Sequence, residues 1–137
     1  MGPVEMKELI RHIMEDGFNR ADMDVVYDSF VEDYVRHGFG VPSMGSLAEH
    51  VEDLKSRHEA FDGARFEIHQ MVAEGDTVAV HYTFHGVHTG EFAGIAPTGR
   101  TVSRPSSAFF TIADGKVREG TIVSDGGGLL AQLTDPA

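Results

Sequence analysis

The spacing of apolar residues changes period once along this chain, and that change is the strongest constraint on its fold. Over the first 61 residues apolar side chains recur at helical intervals, whereas from Ala64 onward they alternate. Helices first and strands afterwards imply an α+β domain rather than repeated βαβ units. Val4, Leu9, Ile10, Ile13, Met14 and Phe18 predict a first helix that frays at Gly17 and Asn19. A second, short helix is expected from about Asp22, with Val25, Val26, Phe30 and Val31 facing inward. Ser46 and Glu49 form a capping box for a third, carrying Leu47, Val51, Leu54 and Phe61. Between the last two, His37-Gly38-Phe39-Gly40-Val41-Pro42 reads as a turn-rich loop.

Phe66, Ile68 and Val72 open the strand half, and Val78, Val80, Tyr82 and Phe84 share one face after the Gly75-Asp76 turn. Thr101 to Ile112 is a third strand with a bulge expected at Pro105. Ala113-Asp114-Gly115-Lys116 then turns the chain into a last strand, Val117 to Asp125. The segment Gly86 to Arg100 contains four glycines and Pro97, which suit an ordered turn that holds His88 and Phe92 in set positions.

A length of 137 residues fits one domain, 1–137, with a single core. Acidic side chains number 22 against 11 basic ones, so the formal charge of −11 repels nucleic acid phosphates and anionic membranes. Cysteine is absent, which removes disulfides, thiolate metal sites and a thiol nucleophile. The polar opening Met1 to Glu8 suggests neither a signal peptide nor a membrane span, and a cytoplasmic location is the expectation.

Asn19 before Ala21-Asp22, Asp33-Tyr34-Val35-Arg36-His37, Glu74-Gly75-Asp76-Thr77-Val78-Ala79, the Gly86–Arg100 loop, Asp114-Gly115-Lys116-Val117, and Asp125 with Gly128-Leu129-Leu130 together resemble the SnoaL-like polyketide cyclases of the NTF2-like superfamily. The resemblance covers nearly the whole chain. It implies a conical α+β barrel in which a curved antiparallel sheet wraps around the N-terminal helices, a deep apolar pocket, and a homodimer. It also implies a cofactor-independent cyclase or isomerase acting on a polyketide-like hydrophobic carbonyl compound. One carboxylate would serve as acid and base, and the resemblance puts it at Asp125.

Asp125 ends a strand of apolar character, where a carboxylate beside a cavity would be desolvated and become a stronger base; equally, an Asp before glycines can simply end a strand. Arg104 shares parity with Val102, Ser106, Ala108 and Phe110, the face expected to line the cone, unless Pro105 shifts the register. His88 can either donate a hydrogen bond to a developing enolate or pin its loop. His37 falls near the expected pocket mouth, and Phe18, Tyr34, Met44, Tyr82 and Phe92 are candidates for the lining. Departures from the family pattern are Met14 where tyrosine is frequent, Ala108 where a polar or acidic residue is frequent, and Thr121 where tryptophan is frequent. They point to a wider, less polar pocket.

His69, His81 and His85 share the outer parity and form a histidine row rather than a convincing zinc site, so no metal or cofactor is expected. His12, His50 and His58 read as surface helix residues. Ser106 and Ser107 lack a nucleophile elbow, and Gly126-Gly127-Gly128 lacks the Lys-Ser/Thr of a phosphate loop. The alternatives left open are an epoxide hydrolase or dehydratase-like enzyme, and a non-catalytic ligand-binding module.

Overall fold

Helix α1 (Pro3–His12) starts on a proline, whose missing N–H would be unpaired in a first turn anyway, and continues into a π-helical segment, Ile13–Phe18. The computed structural model describes residues 1–125 and 128–136. Gly17 does not mark a frayed end. A Cβ there would lie 3.2 Å from Val25 and Val26, so the glycine admits close packing of α2 (Met23–Ser29). Asp22 caps α2, its Oδ1 accepting from the backbone N–H groups of Asp24 and Val25.

The second helix ends earlier than its pattern suggests. Phe30 and Val31 belong to a strand, β1 (Phe30–Phe39), which also absorbs His37–Phe39 from the expected loop. β1 runs parallel to β5 (Lys116–Ser124), pairing Val35 with Glu119 and Phe39 with Val123. Such a partner, far downstream, leaves no local turn signal to read.

Helix α3 (Leu47–Ala60) carries the capping box as expected: Ser46 Oγ accepts from Glu49 N, and the Glu49 carboxylate accepts from Gly45 N. Strands β2 (Phe61–Glu74), β3 (Thr77–His88) and β4 (Thr101–Ala113) complete a five-stranded sheet ordered β1-β5-β4-β3-β2. The expected α+β architecture, with the N-terminal helices against a curved sheet, is the one found. The sheet is mixed rather than wholly antiparallel because β1 pairs with β5 in parallel. Helix α4 (Gly128–Thr134) packs back on β4. No helix among the described residues is long and apolar enough to cross a membrane.

β4 has no bulge at Pro105. Pro105 pairs with Thr83, and pairing with β5 begins one residue later, at Ser106 with Ser124, so no ladder bond to β5 is lost there. Alternation therefore survives, and Val102, Arg104, Ser106, Ala108 and Phe110 are all buried. Asn19 stitches the helical layer to edge strand β2, accepting from Phe66 N at 2.6 Å and donating to Phe66 O at 3.0 Å. One apolar cluster extends from Met6 in α1 to Leu133 in α4.

Gly120 decides how deeply β5 can pack. A Cβ at this position would collide with Tyr34 Oη and approach the Phe110 ring at 3.3 Å. Gly120→Ala should therefore lose about 1–3 kcal/mol of stability through overpacking. Gly45→Ala, with open space around its Cβ, should change little. Chemical denaturation of the two variants checks the contrast.

Candidate active site

Between α3 and the inner face of the sheet lies a cavity of about 30 Å³. It has room for about two water molecules. Met14 and Phe18 reach it from the π-helical segment, Tyr34 from β1, Phe66 from β2, Tyr82 from β3 and Ile122 from β5. A vestibule of about 140 Å³ lies outside it, between the Gly40–Pro42 turn, Phe92 and α4 residues Leu129 and Leu130. Asp53, Arg57 and Arg104 line both spaces, so they form the wall between them.

The polar part of this wall is built mainly by α3. Leu47, His50, Val51, Leu54 and Arg57 are buried at intervals of three and four, so His50 and Arg57 share the stripe of the apolar anchors. His50 is thus not a surface residue. It is 5% exposed, and its ring meets those of Phe18, Phe30 and Tyr34 at 5.4–5.5 Å between centroids. Burial, assisted by Arg36, drives its pKa down to about 3, so the imidazole is neutral at ordinary pH. His58 is also partly buried, its Nε2–H donating to Phe18 O at 2.6 Å, whereas His12 is exposed and pairs with Asp16.

Asp53 accepts from Arg57 Nε at 3.1 Å and lies 3.6 Å from Arg36 Nη1. Burial acts to raise its carboxyl, but Arg57 and Arg36 outweigh burial and hold it below the usual carboxylate range. Arg36 also donates to Pro42 O at 2.9 Å, and Arg57 lies over the rings of Phe84 and Phe92. Arg104 is 5% exposed and in no ion pair among the described residues. Burial, with Arg57 adding to it, lowers its pKa to about 10, which leaves it protonated at neutral pH. Tyr34 Oη, both His50 ring nitrogens, Arg36 Nε, Arg57 Nη1 and Arg104 Nε are buried without a hydrogen-bond partner among the described residues. Burial also pushes the phenols of Tyr34 and Tyr82 upward, so both stay protonated donors.

Of the residues singled out in the sequence, Met14, Phe18, Tyr34, Tyr82 and Arg104 line the cavity, and Phe92 lines the vestibule. Asp125 lies elsewhere. It is exposed at the end of β5, beside Ser124, while Ile122 is the β5 side chain in the cavity wall. A Cβ on Gly128 would sit 3.7 Å from Asp125 Oδ1 and 3.3 Å from Arg104 Cδ, so this glycine is flanked by the carboxylate and the arginine stem. His88 is fully buried outside the cavity lining. Its Nδ1 accepts from Thr98 N at 3.1 Å, and its backbone bonds to Arg100 and Gly99, which ties both ends of the loop together.

His37 is half exposed and 3.5 Å from Glu119, and Met44 forms a two-way backbone bridge with Arg36. Ala108 is buried but outside the lining, and Thr121 pairs with exposed Phe109 on the outer parity of the sheet. His69 bonds Thr83 Oγ1, His85 pairs with Glu67, and among the described residues no group of three or more His, Cys, Asp or Glu is placed to hold a metal. The sequence pattern holds a signal for His50 and Arg57, which stand four and three residues from Leu54 on the buried stripe, and Asp53 follows only as the residue three and four positions from those two. Arg36 carries no such signal, because the parallel partner of β1 lies far downstream in the chain.

Residues 8–133 match the family of SnoaL-like polyketide cyclases. The nogalonic acid methyl ester cyclase of Streptomyces nogalater is 28% identical over 130 residues, covering 90% of this chain and 93% of that protein. The crystal structure of AclR from Streptomyces galilaeus, assigned as a hydroxylase, is 30% identical and superposes with a TM-score of 0.83 over 97% of this chain and 83% of AclR. IdmH from Streptomyces antibioticus, assigned as a polyketide cyclase, is 26% identical with a TM-score of 0.78, over 93% of this chain and 97% of IdmH.

The buried imidazole gives a pH test of the site. Below pH 6.5 the unfolded chain takes up a proton that folded His50 refuses until about pH 3. Stability should therefore fall with decreasing pH across that window, by up to about 1.4 kcal/mol per pH unit from this group. His50→Phe should make the loss between pH 7 and pH 4 shallower in chemical denaturation. An unchanged slope would mean that the imidazole is solvated.

Proposed function

The chain belongs to the SnoaL-like polyketide cyclase family, a family of enzymes, and on that footing we propose that it closes a ring in a polyketide-like carbonyl compound without a cofactor. The observation that carries this reading is Arg104, a charged guanidinium buried at the wall of the inner cavity with no anionic partner among the described residues. A fixed positive charge in a dry site stabilises an oxygen that becomes negative during reaction. In an aldol closure, removal of an acidic C–H proton gives an enolate whose carbon attacks a second carbonyl. The new C–C bond leaves an alkoxide, which takes the proton back. The product is an isomer of the substrate.

In this reading Asp125 moves the proton and Arg104 holds the enolate oxygen. Asp53 is the carboxylate of the cavity lining, but two guanidiniums hold it ionised, which makes it a weak base. Asp125 is in none of the described ion pairs, and a substrate that fills the vestibule and overlies Gly128 would bring its reacting carbon toward both Asp125 and Arg104. His88 holds the loop rather than touching substrate. We also retain the homodimer as a proposal, seated on the outer sheet face where Val72, Phe109 and Val123 are exposed; a monomeric mass in light scattering would remove it.

A second reading, hydroxylation, draws support from the 30% identity to AclR. Product mass separates the two, because ring closure conserves mass and hydroxylation adds one oxygen. For ring closure, Asp125→Asn should abolish turnover while preserving the fold and ligand binding. Arg104→Met should lower kcat by about 10²–10³. Full activity in the Asp125 variant would sink the proton-transfer role.

A further inference from the structure

The charge around the inner cavity is not balanced by the reaction proposed above. Arg36, Arg57 and Arg104 all line it, and Asp53 is the one carboxylate in that lining. With His50 neutral, two positive charges remain. An enolate formed at Arg104 would neutralise one of them, and only during turnover.

The hydrogen-bonding groups lean the same way. Arg36 Nε, Arg57 Nη1 and Arg104 Nε can only donate, and all three are buried and have no hydrogen-bond partner among the described residues. Tyr34 Oη, also unpartnered, adds a fourth available donor at the cavity. Arg36 and Arg57 share Asp53, whereas Arg104 is in no ion pair among the described residues, and an unpaired buried cation costs several kcal/mol unless an anion or water answers it. The space they enclose is close to that of a carboxylate, and its open side leads to a vestibule lined by Val41, Phe92, Leu129 and Leu130. A small donor-lined chamber behind an apolar entrance suits a flat hydrophobic body that ends in an anion.

We propose that the inner cavity binds an ionised carboxylate of the substrate, held by the guanidiniums of Arg104 and Arg57, so that the enzyme takes a polyketide-like acid rather than its neutral ester. The proposal rests on this cavity being the substrate site, but not on Asp125 being the base. The carboxylate supplies the ground-state negative charge that the resting protein lacks. Arg104 is then both an anchor for the acid and a neighbour of the reacting oxygen.

The test is to titrate 2-naphthoate and methyl 2-naphthoate separately into the full chain by calorimetry. The acid should bind at least about ten-fold more tightly than the ester, as a charge-assisted contact in a dry site requires. Arg104→Met should erase the preference, Arg104→Lys should keep part of it, and Asp125→Asn should keep all of it. The ligand-free Arg104→Met protein should melt no lower than wild type, because it loses a buried charge that has no ionic partner among the described residues. Equal binding, an ester preference, no binding of the acid, or an acid preference that survives Arg104→Met each overturns the inference. The acid-to-ester comparison in wild type needs no variant, so misfolding cannot hide the answer. A fully active Asp125→Asn protein that still prefers the acid would remove the proton-transfer role alone.

Discussion

Asp53 keeps two guanidiniums buried, and the shape of the site depends on that contact. It holds Arg57 on its own helix and Arg36 on β1, so one carboxylate ties α3 to the edge of the sheet. Arg36 in turn donates to Pro42 O, which places the Gly40–Pro42 turn at the rim of the vestibule. Losing one partner of a buried ion cluster costs about 3–5 kcal/mol, because the remaining charges stay out of water. Arrangement of the cavity wall and arrangement of its mouth are therefore one problem.

The opposite side of the mouth is held by neutral and charge-assisted hydrogen bonds. His88 accepts from Thr98 and closes the base of the loop that carries Phe92. Arg100, at the end of the same loop, donates to the carbonyls of Gln132 and Asp135, and the Gln132 side chain bonds both ways with the Ser103 backbone. Helix α4 is short, and Leu129 and Leu130 reach the vestibule because these contacts fasten it to β4. Of the two roles the sequence leaves open for His88, the bonds it makes in the structure are those that pin the loop.

Local patterns were read well where a local interaction generates them. The capping box at Ser46 and Glu49 joins residues three apart, and the alternation through β4 reflects a pleat with two faces. Arg104 was placed inward by that alternation alone. Prolonging the second helix through Phe30 failed because the apolar spacing there suits either state, and parallel pairing with β5 decided for a strand. Histidine as a residue type suggests exposure at position 50, whereas its distance from Leu47 puts it on the buried stripe. Polar residues on an apolar stripe were the signal for the site, and type outweighed position.

By itself, the sequence determined the α+β class, the helix caps, the hairpin turns and the two faces of the antiparallel strands, because each follows from residues near one another in the chain. It also carried the family, through motifs spread over nearly its whole length. Tertiary structure alone decided which charges meet. Arg36, Asp53, Arg57 and Arg104 come from one edge strand, one helix and one inner strand, and their ionisation depends on distances of a few ångströms that no spacing rule encodes. It also decided that Asp125 is exposed outside the cavity lining while Ile122 faces the cavity, since a strand end is aimed by what packs around it.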